Sequence, residues 1–174
     1  MRHLGKIIIP AALAILIPSL GYAQSAGQAK QMQKLQEQQS VDTRFADYFS
    51  RLKKAPRDPQ AHLALAQVYL ERDLFELAAV SFQRALKLNP QLASAHFGLS
   101  KTYRKKKLKK LEVLELENAV AIEPTNDHYL YELGVVYMEP ESFDYKKAKK
   151  QYKALKKLQS PKADKLGTLM KIDE

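Results

Sequence analysis

Cysteine and tryptophan are absent from the 174 residues, and glycine occurs only six times. Without cysteine no disulfide can staple the chain, so its fold must rest on packing alone, which a chain of this length permits. No glycine-rich loop opens a helix, which removes a common phosphate cradle. Histidine is limited to His3, His62, His96 and His128. Long apolar runs are equally scarce. The one candidate, Ile7 to Leu20, is broken by Pro10 and Pro18 and falls short of the roughly 20 apolar residues that span a bilayer as a helix. Arg2 and Lys6 precede it, and small residues at Gly21 and Ala23 follow, the arrangement of a secretory signal cleaved after Ala23. No cysteine lies near that point to carry a lipid. The expected location is therefore periplasmic or secreted, and the alternative is an uncleaved segment that tethers the protein to an inner membrane.

Residues 24–40 hold seven glutamines and few apolar side chains. Ala29, Met32 and Leu35 make one short stripe, well below the three or four heptads of a coiled coil, so this segment reads as a flexible leader. Self-association through a short helix is the alternative.

What the chain has in quantity is periodicity. Pro90 and Pro124 lie 34 residues apart, and so do Leu65, Leu99 and Leu133, the tyrosines Tyr69, Tyr103 and Tyr137, and the small residues Ala66, Ser100 and Gly134. Ala85 matches Ala119, and Phe82 matches Leu116. Apolar residues recur at helical spacing over Ala61 to Arg72 and again over Phe75 to Leu88, which predicts two helices, repeated as Ala93 to Lys105 and Lys109 to Ala121. Neither helix of a pair can bury its stripe alone, and stacking the next pair supplies the missing wall. Proline ends each second helix because it lacks the donor and clashes with the preceding turn.

A 34-residue period of large, small and aromatic residues ending in proline resembles the tetratricopeptide repeat. The resemblance covers roughly residues 57–158 and implies an all-α, right-handed α-solenoid of antiparallel helix pairs. The expected organisation is a signal (1–23), the leader (24–40), an opening cap helix (41–56), three repeats (57–90, 91–124, 125–160) and a closing cap helix (161–174). In the third repeat Tyr137 to Ala148 spans two residues more than Tyr69 to Ala78, which puts a longer loop at Pro140 to Ser142. Beyond it Tyr145, Ala148, Tyr152, Leu155 and Leu158 are expected to face inward, then Ala163, Leu166, Leu169 and Met170 behind a Ser160 cap. Two positions depart from the family pattern. His62, His96 and Leu130 stand where tryptophan is usual, and Glu112 replaces the small residue seen as Ala78, so its carboxylate must reach solvent or a lysine.

The resemblance implies a concave surface lined by each first helix. Leu63, Phe97 and Tyr131 share one groove position, with Gln67, Lys101 and Val135 one turn on, giving an apolar floor with polar edges for a protein or peptide segment. The family's carboxylate clamp is not matched, since Leu63, Gln67, Gly98 and Glu132 occupy its places. Charge is the other distinctive property. The chain carries +10, and loss of Arg2 and Lys6 leaves +8. Seven basic residues fall in Lys101 to Lys110 and seven in Lys146 to Lys157. The second run reads as a solvated helix face. The first, with Arg104, Lys105, Lys106, Lys107, Lys109 and Lys110, is the candidate patch for an acidic protein surface, an anionic lipid or an envelope polyanion, with Lys101, Arg104 and Lys105 toward the groove. Nucleic acid is not expected, because export separates the chain from it and no recognition motif accompanies the lysines.

Catalytic machinery is not legible. His62 and His96 fall in equivalent packing slots on helices roughly 8 to 10 Å apart, too far to share a metal without distortion. The acidic pair Glu139 and Glu141 has no positioned partner. The chain reads as a non-enzymatic adaptor with no cofactor and no metal, expected to help assemble or organise an envelope complex.

Overall fold

The structure, a computed structural model, describes Gln33 and residues 43–171. The signal segment and the leader, Gln33 apart, lie outside the described residues. The unit that begins at Ser40 is all-helical, with no strand among the described residues. Its elements are α1 (43–54), α2 (Pro59–Glu71), α3 (Phe75–Leu88), α4 (Ala93–Lys105), α5 (Lys109–Ile122), α6 (Asp127–Val136), a 3-10 turn (Pro140–Ser142), α7 (Tyr145–Lys157) and α8 (Lys162–Leu169). Consecutive helices pair as α2–α3, α4–α5 and α6–α7, and each pair stacks on the next through α3–α4 and α5–α6. It is an α-solenoid of helical repeats.

Local chemistry sets the helix ends. Asp58 accepts from the Gln60 N–H at 2.9 Å with Pro59 at the first helical position, and Asn126 caps α6 through the His128 and Tyr129 N–H groups. The turn inside each pair is a left-handed closure. Asp73 (φ 57°) and Lys107 (φ 59°) occupy its left-handed position, Leu74 N–H donates to the Tyr69 carbonyl, and Leu108 N–H donates to the Tyr103 carbonyl, both at 2.9 Å. In the third pair Asp144 N–H reaches the equivalent Tyr137 carbonyl at 2.8 Å. The two extra residues are taken up by the 3-10 turn, and the hydrogen bond that sets the register is kept.

The small residues permit close approach. Ala66, Ala78 and Ala85 are fully buried around the Phe82 ring, and Ala119 and Ala148 repeat the arrangement beside Leu116 and Leu155. The inward face of α7 differs from the expectation. Gln151 is buried with Ala148 and Leu155, whereas Tyr145 and Leu158 are exposed, because the shortened α6 and the short α8 leave only the middle of α7 covered. On α8, Ala163, Leu166 and Met170 are buried and Leu169 is half-exposed. Ser160 Oγ accepts from the Lys162 N–H at 3.2 Å and donates to Asp127 Oδ2 at 2.7 Å, which fastens α8 to the start of α6. At the other end the Phe45 ring of α1 meets Tyr69 edge-on at 5.6 Å, and Arg44 pairs with Glu71 at 2.7 Å.

Candidate functional site

The first helices α2, α4 and α6 together line a concavity of about 700 Å³. Its middle is aromatic: Phe97 lies 4.8 Å from the Tyr129 ring and 4.9 Å from the His128 ring, centroid to centroid. Lys101 Nζ stands 5.6 Å from the centre of the Phe97 ring, so a cation sits over the apolar floor. Gln67 and Glu71 of α2 and Lys105 of α4 make the polar margin. Gly98 brings Phe82 to the floor, since a Cβ there would stand 2.3 Å from two of its ring carbons. The arrangement offers ring surface, a cation and amide or carboxylate groups within one hollow.

Of the expected groove residues, Gln67, Phe97 and Lys101 line this hollow. Leu63 is buried in the core around Phe82, and Tyr131 and Val135 pack against the core of the third pair. Phe97 is partly buried against that core as well, so its ring serves both packing and floor. Asn126, His128 and Tyr129 line the hollow without having been singled out from the sequence. Their counterparts one repeat earlier are Leu92, Ser94 and Ala95, none of them aromatic, so the period carried no signal for them.

In the basic run Lys101 to Lys110 three of the seven cations, Arg104, Lys106 and Lys109, are paired with carboxylates. Glu112, fully buried, lies 2.5 Å from Arg104 Nε, and Arg104 Nη1 also reaches Glu132 at 3.0 Å. Arg104 therefore faces carboxylates of α5 and α6, while Lys101 and Lys105 line the hollow. Lys109 pairs with Glu139 and stands 2.8 Å from Glu112 Oε2, at an angle poor for a hydrogen bond, so that this oxygen has charge beside it and no hydrogen-bonded partner. Lys106 pairs with Glu76 at 3.1 Å. Burial works against the charges of Arg104 and Lys109, but their carboxylate partners outweigh it and hold both above their ordinary values. Lys105, Lys107 and Lys110 have no ion pair among the described residues.

The histidines have structural partners. His62 Nε2 donates to the Pro56 carbonyl at 3.0 Å and His96 Nε2 to the Pro90 carbonyl at 3.3 Å, the same contact one repeat apart. His96 Nδ1 also lies 2.6 Å from Glu115 Oε2. Among the described residues no group of three or more histidine, aspartate or glutamate side chains is placed to hold a metal.

No family model matches the sequence, and no curated protein does. Solved structures do match. A tetratricopeptide repeat protein from Parabacteroides merdae aligns with a TM-score of 0.68 at 12% identity, over 82% of this chain and 57% of its own. The chain has that fold. TTC0263, a TPR protein of Thermus thermophilus, aligns at TM-score 0.58 and 21% identity over 79% of this chain and 78% of its own. YrrB, a TPR protein with an unusual peptide-binding site, aligns at 0.60 and 15% identity over 83% and 81%.

Proposed function

We propose that this chain is an exported scaffold that holds a protein or peptide segment in the hollow of α2, α4 and α6 and so supports an envelope assembly. The observation that carries the reading is the aromatic cluster of Phe97, His128 and Tyr129 beneath Lys101, in a hollow of about 700 Å³. Rings with a cation above them suit an anchoring apolar side chain next to a carboxylate or carbonyl. The fold supports this, since one of its members, YrrB, is described by a peptide-binding site.

A photoreactive residue placed at position 101, in cells, tests it. One discrete protein adduct at position 101, absent when the same residue sits at outward-facing position 84, is the expected result. Equal labelling at both positions, or none, refutes it. Export is tested separately by the mass of the protein recovered from cells, which should begin at Gln24. The alternative of an anionic surface held by Lys101 to Lys110 draws only on Lys101, Lys105, Lys107 and Lys110, because the other three cations are paired. Attachment of that kind weakens steeply with salt, whereas the apolar floor does not.

A further inference from the structure

The outer side of the second helices carries its own pattern. Leu74 and Leu108, Leu77 and Leu111, and Val80 and Leu114 are three pairs of positions 34 residues apart, and all six side chains are exposed. One exposed leucine is ordinary. The same three slots left apolar in two successive repeats are not required by the core, which lies on the opposite side at Ala78, Phe82 and Ala85 of α3 and Leu116 and Ala119 of α5.

On α7 the outer face becomes cationic. With the two-residue insertion, the slots of Leu111 and Leu114 fall to Lys147 and Lys150. The helix holds seven lysines and no acidic residue. Lys147 pairs with Glu117 at 3.0 Å and Lys156 with Asp164 at 3.4 Å. Lys146, Lys149, Lys150, Lys153 and Lys157 are exposed, lack an ion pair among the described residues, and share about 100° of the helix circumference opposite Ala148 and Leu155. In the other basic run Glu76, Glu112, Glu132 and Glu139 pair with Arg104, Lys106 and Lys109, whereas here five unpaired cations share one helix face. The pair Glu117–Lys147 links α5 to α7, and Glu76–Lys106 links α3 to the turn that precedes α5.

We infer that this outer face, with Leu77, Val80, Leu111 and Leu114 on α3 and α5 and the five lysines of α7, docks on an anionic phospholipid bilayer. The lysines run over about 16 Å of helix, a spacing that suits many headgroups and exceeds a single phosphate. Their aliphatic stems lie along an apolar boundary while the ammonium groups meet the anions. The leucines supply the apolar half of an interfacial contact. An acidic protein or polymer would satisfy the lysines and leave those apolar side chains uncovered, which is why the bilayer is the favoured occupant. This surface is separate from the hollow, and either can fail without the other.

The test uses the full chain and exploits its lack of native cysteine. Because Ile7 to Leu20 can attach the protein to any bilayer, the readout must be local. Nitroxide labels at Leu111→Cys or Leu114→Cys, and at Lys101→Cys in the hollow, are compared on vesicles of phosphatidylcholine alone and with phosphatidylglycerol, measuring collision with oxygen against a water-soluble nickel chelate. On the anionic vesicles the labels at 111 and 114 are expected to become oxygen-accessible while the label at 101 stays in water. Reversing Lys146, Lys149, Lys150 and Lys153 to Glu should lower the affinity of this face about a hundredfold or more and abolish that shift, with helical circular dichroism unchanged. Labels at 111 and 114 that remain in water on vesicle-bound protein overturn the inference. So does a shift that is equal on neutral vesicles or survives the four reversals. Burial of both labels by polyglutamate but not by vesicles reassigns the face to an acidic polymer and likewise overturns it.

Discussion

A methyl group added at Gly98 has nowhere to go. It would meet two carbons of the fully buried Phe82 ring at 2.3 Å, so the ring has to shift. Gly98→Ala is expected to cost about 1–3 kcal/mol, the usual range for overpacking, seen as a lower urea midpoint at unchanged slope. The buried Glu112 makes a different point, because its two cations are not equivalent. Arg104→Ala strands a desolvated carboxylate with only the poorly angled Lys109 beside it, and is expected to cost about 3 kcal/mol or more. Glu112→Gln leaves cations that still hold Glu132 and Glu139 and can reach water, so about 1 kcal/mol is expected. Equal midpoints for the two variants would show that the network is not the asymmetric one seen here. The sequence shows that Glu112 needs solvent or a lysine. It does not show Arg104 as the partner, because Arg104 precedes it across a turn and Glu132 belongs to the next repeat.

At the scale of the element, the helices are legible because their ends are chemically marked. Proline, Asp58 and Asn126 set starts and stops by local rules, and α4 runs from Ala93 to Lys105 as its periodicity predicts. The inward faces of α7 and α8 are less so, because burial there depends on where neighbouring helices end. In the turn between α4 and α5, Lys107 sits at φ 59°, a conformation that glycine adopts without strain. Lys107→Gly should raise stability by about 0.5–1 kcal/mol, the relief of the left-handed strain less the entropy glycine loses, measured by urea denaturation. The hold on α8 depends on pH. Lys162, and after it the Ser160 hydroxyl, keep the Asp127 carboxyl below its usual value. A lowered carboxyl stabilises the folded state above its unfolded value of about 3.9, and the contribution is lost as pH falls through the lower folded value. On acidification the amides of α8 should therefore lose exchange protection before those of α4, and Asp127→Asn should produce the same loss at neutral pH.

Across the whole unit, each pair leans on its neighbours, so position in the array decides how far damage spreads. Tyr103 stands in the middle pair, nearly buried, and its hydroxyl accepts from Gln83 Nε2 of the pair before it at 3.2 Å. Tyr103→Ala is expected to cost about 3 kcal/mol and to lower protection in α2 to α5 together. A loss confined to α4 would contradict the shared interior. This shared interior is what a 34-residue period encodes, and hence the fold is readable from spacing alone. The hollow is only half readable. Gln67, Phe97 and Lys101 follow the period into it, whereas His128 and Tyr129 bring rings to slots that hold Ser94 and Ala95 one repeat earlier, so no aromatic counterpart announces them.

The 3-10 turn after α6 shows what the architecture holds constant. Chain length there differs from the other two pairs, yet the Asp144 amide still finds the Tyr137 carbonyl. A site that absorbs two surplus residues and keeps the hydrogen bond that sets the register is a natural port for grafting. An epitope or fluorescent tag spliced in beside Glu141 should leave the scaffold's thermal transition where it is, and gives a handle for following the protein.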